Sequence, residues 1–244
     1  MIEPVKYLES VTSTNQYLID LAPALLPGDI KAVATFNQTN GRGQRGNTWL
    51  SEPGCNISYS LIFRPAGLLA IEQFLISEAV TLTVQSFLSD YANGITIKWP
   101  NDIYWRDNKL TGILIEDHVA NGAITQSIVG IGININQHTF SADIPFATSL
   151  SNITGMNYDL TELTDKLHHR LCKSLSELTS DKAEELRRFY INNLYRRDGF
   201  HAYTDKNGTF QARICGISML GQLLLELEDH SVRTYNFKEV QFNL

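Results

Sequence analysis

The chain has 244 residues, 43% hydrophobic and 19% charged, with a formal net charge of -6. That length suits one large domain, or one of roughly 200 residues plus a small one, with enough apolar side chains for a real core. The acidic balance counts against a nucleic-acid binder, and no run approaches the roughly 18 apolar residues of a membrane span.

In chain order, Ser13 and Gln16 have capping-box spacing, and Leu18, Leu21 and Leu25 follow at helical intervals. A short helix is predicted from about Thr14, ended by Pro27-Gly28. "KAVATFNQ" reads as a strand. "NISYSLIF" places Ile57, Tyr59, Leu61 and Phe63 on one face of a second strand. Residues 70–91 are largely apolar without strict alternation, which predicts a buried helix. "ITIKW" (95–99), "LTGILIE" (110–116) and "TQSIVGIGINI" (125–135) predict an antiparallel meander. Leu160, Leu163, Leu167, Leu171, Leu175 and Leu178 mark an amphipathic helix, and a second is expected from Ala183 to Tyr195. His168 and His169 lie on the first of these without metal-ligand spacing and are expected to face solvent. Past Arg196 the chain turns to short alternating runs, with Asn207-Gly208 as a hairpin signal. The expected organisation is a main domain over 1–195 and a small β domain over 196–244.

Cys55, Cys172 and Cys215 are far apart and form no C-x-x-C pair, which argues against a disulfide framework or structural zinc site and fits a reducing cytosol. The N-terminus lacks a basic start before an apolar run, so no signal peptide is expected.

Three stretches can carry chemistry. In "QTNGRGQRGNTW" (38–49) glycines allow close backbone approach and arginines add fixed charge. An anion-holding loop, a mobile surface loop and an RNA contact all remain open from composition, and the Lys-Ser/Thr end of a P-loop is missing. In "KWPND" (98–102) Pro100 fixes a turn, leaving Asn101 and Asp102 at a strand end with Lys109 further on. A plain hairpin turn and a carboxylate–lysine site for Mg²⁺ and phosphate both fit. In "GIGINI" (130–135) alternation puts Val129, Ile131, Ile133 and Ile135 on one face and Gly130, Gly132 and Asn134 on the other. A bare face suits either a ligand or close packing against another backbone.

In this order, these stretches resemble the biotin–protein ligases, the biotin–[acetyl-CoA-carboxylase] ligases. "STNQYL" (13–18) is similar to the family's entry motif, "QTNGRGQRGNTW" to its glycine-arginine loop and "KWPNDIYWRDNKLTGILIE" (98–116) to its central signature. "GIGININ" (130–136), "ATSL" (147–150) and "KEVQF" (238–242) follow. The resemblance implies an α+β fold: a mixed, mainly antiparallel sheet flanked by helices, of the class II synthetase kind, then a small C-terminal SH3-like barrel. It also implies the reaction. Biotin is activated by ATP with Mg²⁺ to biotinyl-5'-AMP, then passed to a lysine of a biotin carboxyl carrier protein.

The resemblance further implies residue roles. Lys109, Arg42 and Arg45 supply catalytic charge. Biotin meets Ser13, Thr14, Asn15, Gln38, Gly41, Arg42, Gln44 and Lys109, with Gly130 and Gly132 leaving room for its bicycle. ATP and the adenylate meet Asn47, Trp49, Asn101, Lys109 and Asn134, Trp49 stacking on adenine. Asp102 either approaches the metal or orients Lys109. Many relatives carry an arginine where this chain has Gln44, and some have one at Asn47. Those gaps put arginine-specific roles in question. A cytoplasmic monomer or homodimer, without nucleic acid or membrane as partner, is expected. A lipoate–protein ligase or octanoyltransferase of the same fold and a biotin-responsive nucleic-acid regulator are the alternatives.

Overall fold

A computed structural model describes residues 2–22 and 30–243, apart from the side chain of Arg45. Leu25 and Pro27-Gly28, expected at the end of the first helix, lie outside the described residues.

Strand β1 (Lys6–Leu8) leads to helix α1 (Thr14–Leu21). Ser13 caps α1, its hydroxyl accepting from Gln16 N at 3.4 Å and satisfying one of the N–H groups that a helix start leaves open. Strand β2 (Lys31–Thr35) follows, then a two-stranded ribbon built from the glycine-arginine stretch, β3 (Gly41–Arg42) and β4 (Thr48–Trp49). A 3-10 turn over Gln44–Gly46 joins the two. Next come β5 (Ile57–Phe63), α2 (Gln73–Ser89), β6 (Ile95–Lys98), β7 (Asp102–Trp105), β8 (Asn108–Ala120) and β9 (Ala123–Ile133). Helices α3 (Leu150–Thr154), α4 (Leu160–Ser176) and α5 (Ala183–Asn192) precede β10 (His201–Asp205), β11 (Gly208–Ile217), β12 (Leu223–Leu227), β13 (Val232–Tyr235) and β14 (Gln241–Phe242).

Among the described residues the main sheet runs β1-β2-β5-β9-β8-β7-β6. β1 and β2 pair in parallel; the other neighbours are antiparallel. The expected meander is present with one strand more. Lys98 pairs with Asp102 across a tight turn, so Trp99 ends the strand and β7 lies between β6 and β8. The interposed run is only four residues and starts on Asp102, too short for alternation to mark it.

Alternation gives the central strands two different faces. Tyr59, Leu61, Val129, Ile131 and Ile133 are each 2% exposed or less and join the main core with Leu75, Ile76, Val80 and Leu88 of α2 and Leu163, Leu167 and Leu171 of α4. The opposite face is covered near one end by α1, where Leu18 packs with Val33, Ile62 and Ile128. The rest of that face carries glycines and serines. The expectation of helices beside a mixed sheet holds, and α1 alone of the helices named here contributes to this second apolar cluster.

The segment after α5 covers the β6 edge. Tyr195 N donates to Ile97 O at 2.7 Å, and Ile97 N to Asn193 O at 2.8 Å. The last five strands form a second antiparallel sheet, ordered β13-β12-β11-β10-β14. Its first hairpin turns at Lys206-Asn207, with Gly208 already paired to Asp205. It docks on the larger sheet through Trp99, whose Nε1 donates to Gly221 O at 2.8 Å and whose ring meets Phe237 edge-on at 6.1 Å.

One expectation fails. His169 is exposed as expected, but His168 is 2% exposed. It stands one helical turn from the buried Thr164 and from Leu171, and shares their inward face toward β5. Its Nε2–H donates to Glu3 O at 2.7 Å, which leaves Nδ1 to accept from the Tyr59 hydroxyl at 2.8 Å. Burial pushes its pKa below the usual value of 6.5, so the folded ring is held neutral. The unfolded chain therefore binds the extra proton, and stability present above about pH 6.5 is lost as pH falls through the lower folded value. His168→Leu is expected to cost about 1–3 kcal/mol by stranding two buried polar partners. Urea unfolding should also show a shallower decline than wild type between about pH 7 and pH 5; parallel declines would contradict this.

Candidate active site

On the small-residue face lies a cavity of about 450 Å³. Its floor is β8 and β9, where Gly112 pairs directly with Gly132 and Gly130 with Leu114. An added Cβ shows why these positions are bare. On Gly130 it would strike the Asn15 amide, on Gly112 it would come within 2.8 Å of the Trp49 ring, and on Gly132 within 2.5 Å of Trp49 Nε1. Asn15 and Trp49 of this chain thus lie directly against the backbone at Gly130 and Gly132.

One end of the cavity is polar and neutral. Gln38 Oε1 accepts from Thr14 N at 2.9 Å and from Thr14 Oγ1 at 3.2 Å. Ser60 Oγ lies 2.7 Å from Thr14 Oγ1 and donates to Asn15 Oδ1 at 2.6 Å. The cap at Ser13 fixes where α1 begins, and so puts Thr14 and Asn15 against β5 and β9. Ser13, Thr14 and Asn15 are each 4% exposed.

The other end is charged. The β6–β7 turn delivers Asn101 and Asp102, and Tyr190 of α5 braces it by donating to Pro100 O at 2.6 Å. Lys109 Nζ pairs with Asp102 Oδ2 at 2.8 Å. The backbone of Lys109 is held on both sides: its N donates to Phe146 O at 2.6 Å, and its O accepts from Thr148 N at 3.0 Å. Lys98, the cross-strand partner of Asp102, donates to the Tyr104 hydroxyl at 3.1 Å. Burial lowers its pKa, Asp102 opposes that shift, and Lys109 and Arg196 add to it.

The ribbon β3–β4 covers the cavity. Trp49 reaches down from it to the floor, with Lys109 Nζ 5.9 Å from the ring centroid. Among the described residues Trp49 Nε1 and Asn134 Oδ1 are buried without a hydrogen-bond partner. Asn134 Nδ2 donates to Thr148 O at 3.0 Å and Asn101 Nδ2 to Ile113 O at 2.8 Å.

Most of the residues singled out in the sequence converge here: Ser13, Thr14, Asn15, Gln38, Arg42, Gln44, Asn47, Trp49, Asn101, Asp102, Lys109, Gly130 and Gly132 line the cavity. Gly41 pairs with Trp49 in the ribbon, and Asn134 is buried just past the end of β9. The Arg45 side chain lies outside what is described. Arg42 is not beside Lys109. Its guanidinium pairs with Glu116 at 3.0 Å, and Glu116 is seven residues along β8 from Lys109, roughly 23 Å of strand.

Sequence reasoning missed Gly112, Glu116, Asp143, Ile144 and Phe237. Alternation in "LTGILIE" puts Gly112 and Glu116 on one face, so the first two had a signal. Asp143, Ile144 and Phe237 reach the cavity from remote segments and had none.

The Biotin/lipoate A/B protein ligase family matches residues 7–134, just over half of the chain. Over 237 residues the chain is 31% identical to the bifunctional ligase/repressor BirA of Bacillus spizizenii, covering 94% of this chain and 71% of that one. It is 34% identical over 176 residues to the protein of the same name from Salmonella typhimurium, covering 70% of this chain. That match spans 53% of the Salmonella protein, about half its length. The biotin protein ligase of Aquifex aeolicus in complex with biotin and ATP superposes with a TM-score of 0.79 at 25% identity, covering 99% of this chain and 100% of that one. The chain belongs to the biotin/lipoate A/B protein ligase family.

The floor contact is directly testable. Gly132→Ala should lift the Trp49 indole, changing tryptophan emission and near-ultraviolet circular dichroism while the far-ultraviolet spectrum is kept. In a Trp49→Phe background the same substitution should change emission far less. Equal changes in both backgrounds would place the effect elsewhere.

Proposed function

We propose that the protein is an ATP-dependent biotin–protein ligase. The observation that carries this reading is a cavity with a neutral hydrogen-bonding end at Thr14, Asn15 and Gln38, a flat glycine floor, and a lysine–aspartate pair at the far end. Biotin has the matching layout: a polar, uncharged ureido head, an apolar middle and a carboxylate tail. Lipoate has a carboxylate but no ureido counterpart, so the polar end favours biotin.

In the first step a biotin carboxylate oxygen attacks the α-phosphorus of ATP. The bond from that phosphorus to the β-phosphate bridging oxygen breaks, giving biotinyl-5'-AMP and pyrophosphate. Two anions must approach, so fixed cations lower the barrier. Lys109 is the cation at that end, and Asp102 with the two backbone bonds holds it in place. In the second step a carrier lysine amine attacks the acyl carbon, AMP leaves with its electron pair, and the amine loses a proton. Lys109 then offsets charge growing on the AMP phosphate. Asn101 and Asn134 offer amides toward the nucleotide side, and the ribbon with Trp49 excludes water from the anhydride.

Mg²⁺ enters this reading as part of MgATP. No group of three or more histidine, cysteine or acidic side chains gathers among the described residues. Of the two carboxylates that line the cavity, Asp102 and Asp143, Asp102 stands beside Lys109 and suits an ion held mainly by phosphate oxygens. The reading also takes the second sheet as an SH3-like barrel, with the domain boundary at 195/196. The partner is a biotin carboxyl carrier domain, and the compartment the cytoplasm.

Intact mass spectrometry of a carrier domain incubated with biotin, MgATP and the protein should show addition of one biotinyl group. Lys109→Ala should slow this by roughly a hundredfold or more while circular dichroism is unchanged. An unmodified carrier, or a variant with near-normal rate, overturns the reaction or the role of Lys109 respectively.

A further inference from the structure

Behind Asn15 and Arg42, which line the cavity away from Lys109, stands a carboxylate that the proposed reaction does not use. Glu116 lies on β8 four residues past Gly112 and on the same face, so its side chain rises from the floor. Each of its oxygens has its own partner. Oε2 accepts from Asn15 Nδ2 at 2.8 Å, and Oε1 from Arg42 Nη2 at 3.0 Å.

These partners differ in kind. Asn15 belongs to the fixed wall: it is 4% exposed, and its Oδ1 is held by Ser60. Arg42 belongs to the ribbon, and 43% of its side chain is exposed. Ahead of the ribbon the chain is anchored through its backbone, with Thr39 N donating to Val11 O at 3.0 Å and Asn40 N to Thr12 O at 2.9 Å. Past those anchors, among the described residues, the ribbon meets the rest of the molecule through Trp49 on the floor and beside Lys109 and through Arg42 on Glu116, with Arg42 Nη1 also 3.4 Å from Gln16 Oε1.

We infer that Glu116 is a positioning residue that latches the β3–β4 ribbon over the cavity through Arg42, and so sets how firmly a ligand is retained there. The identity of that ligand as biotin rests on the proposed function; the latch does not. A half-exposed ion pair is weak, which suits a gate that must open to admit and release. Ligand affinity scales with the fraction of molecules whose ribbon is closed, so weakening the pair weakens binding without touching the reacting end.

The test uses the full chain with Glu116→Gln, Arg42→Gln and the double variant. Native tryptic cleavage after Arg45, followed by mass spectrometry without any ligand, reports the open fraction. Each single variant should be cut about three- to five-fold faster than wild type. The double variant should be no faster than either single one, because both remove the same contact. Calorimetry should show biotin bound more weakly in each variant because less of the protein is closed, and the rate at saturating biotin should stay within about twofold of wild type in Glu116→Gln. Unchanged cleavage in Glu116→Gln, or additive effects in the double variant, overturns the latch. Faster cleavage in a protein whose wild type binds no biotin supports the latch and overturns the proposed function alone.

Discussion

The structure depends on a single constraint: β8 and β9 must present a smooth surface on one side and a dense apolar one on the other. Side chains alternate along a strand, so both demands fall on the same dozen residues. Ile113, Ile131 and Ile133 satisfy the apolar side, each 3% exposed or less. Gly112, Gly130 and Gly132 satisfy the smooth side, and pairing sets Gly112 beside Gly132. Glycine weakens a strand, and the loss here is offset by central position in the sheet and by helices packed behind. What the bare face gains is depth. Asn15 and Trp49 descend onto the backbone itself, and the cavity forms between them.

Charge is then distributed along this floor rather than across the surface. A chain with a net charge of -6 gathers Lys98 and Lys109 around Asp102 at one end of the sheet. At the other end Glu116 takes up Arg42, leaving hydroxyls and amides to face the cavity. Burial of Lys98 against Tyr104 makes its charge costly, and the nearby carboxylate compensates in part. The result is a polarised slot, cationic where a carboxylate and phosphate would meet and neutral where a polar head group would bind. That polarity distinguishes the slot from a nucleic-acid groove, which would carry positive charge along its length.

Much of this is legible in the sequence, for identifiable reasons. The glycine-spaced strand declares two faces through alternation alone: the apolar one packs on helices as expected, and the bare one is met by Asn15 and Trp49. Ser13 and Gln16 mark the start of α1 because capping chemistry is local. The turn at Pro100 places Asn101 and Asp102 at a strand end, although β7 itself is hidden by its shortness. His168 escapes such reading because a histidine on a leucine-striped helix has no local mark of burial; its partners Tyr59 and Glu3 are over a hundred residues away. The resemblance groups Arg42 with the catalytic charges; its ion pair with Glu116 depends on the register of β8, which no local pattern states. Asp143 and Ile144, from the segment between β9 and α3, and Phe237, where the second sheet closes on Trp99, reach the cavity only through tertiary packing.

The central claim is that this slot activates a carboxylate bearing a ureido head. Exchange of labelled pyrophosphate into ATP, measured with biotin or with lipoate as the sole acid and without any carrier protein, isolates that step. Exchange should depend on biotin and stay near background with lipoate. Exchange supported by lipoate and absent with biotin would contradict it.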